Sequence, residues 1–286
     1  MEILAIFQGE VLIPTINKIF VVIDPTTDNQ AALDNAAWLA SQNKEVSLHV
    51  YEAVSGSGTF ADEDAMQRVE LARHRVWVES LVAPIRAAGN EVTVAIEWTG
   101  EWRDAIAPAA EEAGADLIVK AASSRSAAGR RLLKTSDWTL LRTSHCPVYL
   151  IKKDSIAENV KVLAALDLGR DDEVHAELNE LVLEQARNLV GSADGNSLHA
   201  VSAYASSESF ISPPDLAAKA GIDRTDAHTV EGPPDKVIPE VAEVIAADIV
   251  VIGTVAREGL KAAVVGNTAE KILDDLHTNI FTVHVE

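Results

Sequence analysis

Apolar positions along the chain fall into two rhythms. Short unbroken runs rich in β-branched residues include Ile19-Phe20-Val21-Val22-Ile23, Leu117-Ile118-Val119 and Ile249-Val250-Val251-Ile252. Such runs predict strands buried on both faces, as in a parallel sheet covered by helices. Between them lie windows in which apolar residues recur every three or four positions, the spacing of one helix face. These windows predict helices over 29–42, 65–88, 103–113, 173–189 and 234–246. Gly89-Asn90 closes the second window with a C-terminal stop signal. Strand alternating with helix gives a doubly wound α/β architecture with right-handed crossovers.

The pattern is written twice. Lys18-Ile19-Phe20-Val21-Val22-Ile23-Asp24 is echoed by Lys161-Val162-Leu163-Ala164-Ala165-Leu166-Asp167, and Ser47-Leu48-His49-Val50 by Ser197-Leu198-His199-Ala200. Further on, Ala115–Val119 is echoed by Ala247–Val251, and Pro147–Lys152 by Asn279–His284. Four strand cores recurring in order indicate a duplication. The expected organisation is two domains, 1–153 and 154–286, each with a five-stranded parallel sheet. The offset between copies falls from 150 at Leu48/Leu198 to 132 at Asp116/Asp248, so the second copy is about 18 residues shorter there. That shortens its crossover between strands 2 and 3 to one helix near Pro214–Ala220, and should leave one face of its sheet less covered.

The stretch with the most chemical content is Ile249–Ala256 with its continuation Gly266-Asn267-Thr268-Ala269-Glu270. Strand, glycine, loop, glycine and a helix opening on cap-type residues can present backbone N–H groups to phosphate. The spacing Gly253-x-x-Ala256-(nine residues)-Gly266-Asn267 resembles the nucleotide signature Gly-x-x-Gly-(nine)-Gly-Ser/Thr of the universal stress protein family, with Ala256 and Asn267 as departures. The phrase Gly253–Gly259 followed by Gly266–Glu270 is most similar to the tandem, E-type members, and the resemblance runs from about Lys18 to the end. It implies an adenine nucleotide alpha-hydrolase-like (Rossmann-like) fold. It also implies an internal pseudo-dimer whose strands Pro147–Lys152 and Ile280–Val285 run antiparallel across the interface. For the second copy it implies ATP or a related adenine nucleotide as ligand. Asp167 would meet the adenosine, the segment at Ala200 and Val201 would wall the base, and Gly253, Ala256 and Gly266 would admit the phosphates. Asn267 and Thr268 would donate to those phosphates.

The first copy lacks the signature. Aligning the fourth and fifth strands sets Lys120 opposite Gly253, Ser123 opposite Ala256, Leu133 opposite Gly266 and Lys134 opposite Asn267. Lysines can attract phosphate but do not rebuild a backbone cradle. This copy is therefore expected to serve packing and pairing. All five tryptophans (Trp38, Trp77, Trp98, Trp102, Trp138) fall in it, as core and interface anchors or as the lining of an apolar pocket.

Charge narrows the partners. Forty-four acidic against 24 basic residues give a net −20, which repels nucleic acid and anionic lipid alike. A lone Cys146 forms no internal disulfide and suits a reducing, cytoplasmic setting. No apolar run reaches the roughly 18 residues of a membrane helix. Residues 1–14 carry two acids and lack a basic n-region, a poor secretion signal.

Several constellations carry less. His49 and His199 occupy one repeated strand position without ligand-spaced neighbours and are expected to be structural. Asp171-Asp172-Glu173 reads as a helix start, Cys146 as an inert core thiol. No nucleophile elbow, Walker loop or complete metal motif is present. Three functions stay open at this point. The first is a non-enzymatic cytosolic stress-response factor that senses an adenine nucleotide, with further homodimerisation open. The second is a scaffold without nucleotide that recruits a protein or an apolar ligand. The third is a weak ATPase or autophosphorylating enzyme.

Overall fold

A computed structural model describes residues 16–55, 63–122, 124–125, 131–132, 135–255 and 267–285. The first copy runs β1 (Lys18–Val22), α1 (Ala31–Gln42), β2 (Ser47–Val54), α2 (Glu63–Ala87), β3 (Val92–Trp98), α3 (Trp102–Glu112) and β4 (Leu117–Ala121). A two-residue hairpin, β5 (Ser124–Arg125) and β6 (Arg131–Leu132), follows, then α4 (Thr135–Thr143) and β7 (Val148–Ile151). The second copy runs β8 (Lys161–Leu166), α5 (Glu173–Val190), β9 (Ser197–Tyr204), α6 (Pro213–Ala220), β10 (Ala227–Glu231), α7 (Pro234–Val244), β11 (Ile249–Val255), α8 (Asn267–Asp275) and β12 (Asn279–Val285).

The main sheet has ten strands in the order β10-β9-β8-β11-β12-β7-β4-β1-β2-β3. Within this sheet the pairs inside each copy are parallel, and its one antiparallel pair among the described residues, β12 with β7, joins the copies through Ile280↔Leu150, Phe281↔Tyr149 and Thr282↔Val148. At that seam the rings of Tyr149 and Phe281 lie 5.8 Å apart, both fully buried. One core layer packs α1, α2, α5 and α6 against one face of the sheet; the other packs α3, α4, α7 and α8. Helices on both faces explain why β1, β4 and β11 carry runs of apolar residues without alternation.

Both copies fix their strand register by the same device. Asp116 Oδ2 accepts from the N–H of Asn17 and of Lys18, at 2.9 Å each, and Asp248 Oδ2 accepts from Lys161 N–H at 2.9 Å. The lysine at the head of each first strand reaches back to a helix end: Lys18 Nζ donates to Ala113 O, Lys161 Nζ to Ile245 O.

The expected difference in the second crossover is present. α2 has 25 residues, whereas the corresponding α6 has eight. α6 is delimited by local chemistry: Ser212 Oγ accepts from Asp215 N–H, Pro213 stands in the first turn, and Gly221 closes the helix at φ +71°. The hairpin and α4 are elements that apolar periodicity does not mark.

A cleft in the second copy and its filled counterpart

The carboxyl ends of β8, β9 and β11, with the first turns of α5 and α8, enclose a cleft of about 790 Å³. That lies within the few hundred to a thousand Å³ common for small-molecule sites, at the edge where doubly wound sheets bind ligands. Its apolar lining includes Ala165, Val182, Ala203, Ile238, Ile252 and Ile272. Polar residues also line it: Asp167, Arg170, His175, Asn179, Thr254 and Thr268.

Asp167 stands at the end of β8 with its side chain half exposed. Its backbone is held by Asn179 of α5, whose Oδ1 accepts from Asp167 N–H and whose Nδ2 donates to Asp167 O, both at 2.9 Å. The first copy achieves the same with a different residue: Gln30 bonds the N–H and the carbonyl of Asp24 at 3.1 and 2.7 Å. Arg170 Nε comes within 3.4 Å of Asp167 Oδ2, and His175 Nε2 within 4.0 Å. The other nitrogen, His175 Nδ1, lies 2.7 and 2.8 Å from the two oxygens of Asp172. Asp172 is also the N-cap of α5, accepting from His175 N–H at 3.0 Å. The side-chain bond to His175, then the backbone one, hold the Asp172 carboxyl below the usual range.

The sequence-derived residues divide as follows. Asp167, Gly253 and Thr268 line the cleft together. Val201 does not: it is fully buried in mid-strand β9, and Ala203 and Ala205 form that part of the wall. Asn267 opens α8, while Ala256 and Gly266 lie outside the described residues. Gly253 is not where the strand breaks, because β11 continues to Val255. A methyl built on it would meet Leu178 of α5, 2.6 Å from Cδ2 and 2.8 Å from Cδ1. The missing side chain therefore admits helix α5 to the sheet, whatever it does for a ligand.

Strand register corrects the alignment of the first copy by one residue. Val22 pairs with Lys120 as Ala165 pairs with Ile252, so Ala121 corresponds to Gly253 and Lys120 to Ile252. The opposing α1 is alanine-rich, with Ala31, Ala32, Ala36 and Ala40 buried in the same core layer as Ala121. The constant offset of 132 then sets Asp137 opposite Ala269. Lys120 and Asp137 form a buried ion pair, Nζ to Oδ1 2.7 Å, with Nζ also donating to Ala121 O at 2.9 Å. Two cleft-lining apolar residues of the second copy are thus replaced in the first by a lysine and an aspartate bound to each other. Ser123, Leu133 and Lys134 lie outside the described residues.

The remaining candidates settle into the scaffold. His49 stacks on Phe20 at 5.4 Å and pairs with Thr93 Oγ1 at 2.9 Å. His199 stacks on His228, a residue that sequence spacing did not single out, with facing nitrogens 3.3 Å apart. Burial pushes the Cys146 thiol up to about 11. Trp38 and Trp77 pack on one core layer, Trp102 and Trp138 on the other. Among the described residues no cluster of three or more His, Cys, Asp or Glu side chains is arranged to hold a metal ion. No described helix is long and apolar enough to cross a membrane.

Comparison with known proteins agrees with this architecture. The chain is 27% identical over 294 residues to universal stress protein E of Escherichia coli strain K12, covering 93% of each chain. It is 28% identical over 298 residues to the universal stress protein E homolog of Haemophilus influenzae, covering 93% of this chain and 96% of that one. A crystal structure from Pseudomonas aeruginosa UCBPP-PA14, assigned to the same family, superposes with a TM-score of 0.77 at 29% identity, over 94% of this chain and 93% of that one. A universal stress protein from Archaeoglobus fulgidus shares the fold at 19% identity and TM-score 0.69, over 94% and 98%. The sequence model of the universal stress protein family matches twice, over residues 15–152 and 161–284, and the chain belongs to that stress-response family.

Proposed function

We propose that this chain is a cytosolic, non-enzymatic stress-response factor whose halves, 1–153 and 154–286, divide the labour. The second binds an adenine nucleotide, ATP or a relative, and the first is a nucleotide-free half that supports it. The observation carrying this reading is the contrast between one site in two states. Ile252 and Ala269 line a 790 Å³ cleft, whereas the equivalent positions in the first copy hold the Lys120–Asp137 ion pair. In the open copy Asp167 offers a carboxylate to ribose hydroxyls, and the apolar walls suit a base. The first turn of α8 at Thr268 offers N–H groups to phosphate. Ligand binding would act by favouring one conformation over another, which requires unequal affinity for the two. Isothermal titration with ATP, ADP and AMP tests it. Saturable heat in the wild-type chain, weakened in Asp167→Ala, is expected. Absence of heat and of any thermal shift at millimolar nucleotide removes the ligand.

A second reading rests on Leu178. Because it fills the space beside Gly253, the wall of the cleft at that glycine is hydrocarbon. That favours an apolar ligand over a phosphorylated one. Competition between ATP and a fluorescent apolar probe distinguishes the two.

A further inference from the structure

Helix α8 belongs to the second copy, and its first turns supply Thr268, Ala269 and Ile272 to the cleft. Its other end is held by the first copy. Lys152, immediately after β7, is buried, and its Nζ donates to Leu273 O at 2.6 Å and to Leu276 O at 2.8 Å. Those are carbonyls of the last turn and of the residue just after it, which a helix leaves without internal donors, and a cation there also complements the negative end of the helix dipole. The neighbouring backbone is fixed too: Asn279 Oδ1 accepts from the N–H of Lys152 and of Lys153, at 2.9 Å each. A second tether crosses along the flank of α8, where Arg142 of α4 pairs with Glu270.

We propose that Lys152 is a positioning residue for the second copy's cleft: by capping α8 from the first copy, it sets where that helix's opening turn stands, so the closed half tunes the open one. The route is short and physical. A nine-residue helix is a rigid rod of about 14 Å at 1.5 Å per residue, so displacement of one end moves the other. Asp274 and then Asp137, the partner of Lys120, favour the charged form of this lysine against its burial. The first copy thus carries a buried ion pair where the second lines its cleft, and contributes the lysine that caps the helix bordering that cleft. This inference rests on the proposed ligand for its affinity readout, but not for its structural one.

The test uses the full-length chain as wild type, Lys152→Met, Lys152→Arg and Lys153→Met. Lys153 is the neighbour control, because its Nζ bonds Ala247 O and not α8. Amide hydrogen exchange reads the helix directly. Lys152→Met is expected to speed exchange of the α8 amides at least tenfold while α5 and β8 are unchanged, and to raise the ATP Kd about tenfold. Lys153→Met should do neither, and Lys152→Arg, which keeps a cationic donor, should recover most of both. Unchanged α8 exchange in Lys152→Met overturns the proposal, as does faster exchange with unaltered affinity. An arginine variant no better than the methionine one overturns the capping role. If Lys152→Met does not fold, Arg142→Ala removes the second tether from the surface; it should speed exchange in the first turns of α8 and weaken ATP a few-fold, and no change in either counts against the proposal. If wild type binds no ATP, the nucleotide reading falls, and α8 exchange alone decides whether Lys152 positions the helix.

Discussion

Lys120 Nζ lies 2.7 Å from Asp137 Oδ1, with both side chains almost wholly buried, at positions occupied in the other copy by Ile252 and Ala269. The two halves thus differ at this place by one exchange of residue pairs, apolar in one and ionic in the other. Neither member could have been acquired alone without cost, because a single buried charge is far more expensive than a satisfied pair.

That asymmetry is measurable. Lys120→Ile should destabilise the chain by about 3–5 kcal/mol, since it removes the cation from a buried ion pair. Lys120→Ile with Asp137→Ala, the second copy's residues, should cost much less than the single change. Urea denaturation of Lys120→Ile, Asp137→Ala and the double closes the cycle. Additive single effects would mean that the two side chains are not energetically paired.

Gly253 yields a sharper discrimination. Gly253→Ala drives a methyl into Leu178 and should cost about 1–3 kcal/mol of stability with no ligand present. Adding Leu178→Ala removes the obstacle, so the double mutant should lose clearly less than the sum of the single losses. A glycine serving only ligand approach would leave unfolding midpoints untouched.

Much of this was legible in the sequence. Apolar runs located eight of the ten strands of the main sheet, and apolar windows with cap residues located seven of the eight helices among the described residues, because burial on both faces leaves a pattern that chemistry cannot disguise; the third strand of each copy, β3 and β10, was counted but not placed. The shortened crossover followed from the change in offset between copies. The site was less legible, for reasons of register and distance. Gly253 looks like the end of a strand, yet hydrogen bonding carries β11 two residues further, and setting Lys120 opposite it misplaces the first copy by one. The signal that corrects this was present: an offset of 132 holds from Asp116/Asp248 to Pro147/Asn279 and pairs Lys120 with Ile252. Partnerships such as Lys120 with Asp137 or Lys152 with Leu273 join separate elements, and no local periodicity encodes them.

Asp167 should separate binding from folding. Its side chain is half exposed, and Asn179 bonds its backbone rather than its carboxylate. Asp167→Asn is therefore expected to keep the unfolding midpoint of the wild type while weakening adenine nucleotide about tenfold, roughly the 1.4 kcal/mol of one lost polar contact. Asn179→Ala should do the reverse in part, lowering stability by about 1–3 kcal/mol through two unpaired backbone groups. Calorimetry and thermal melts on the two variants provide the check. A midpoint that drops with Asp167→Asn would reassign the carboxylate to the scaffold.

The last prediction concerns pH. Burial lowers Lys152 from 10.5 to about 8, against the opposing pull of Asp274, Asp137 and Asp275. The folded chain thus releases this proton near pH 8 and the unfolded chain near 10.5. Between the two the unfolded state binds more protons, so this group's contribution to stability must rise with pH. Its burial penalty is present in full below pH 8 and gone above 10.5, a span worth on the order of 3 kcal/mol. Unfolding free energies of wild type minus Lys152→Met, measured at pH 7, 8, 9 and 10, should climb through that window. The subtraction removes the groups that both chains share. A flat difference curve would mean that the ammonium is not desolvated, and with it would go the account of Lys152 as a buried cap on α8.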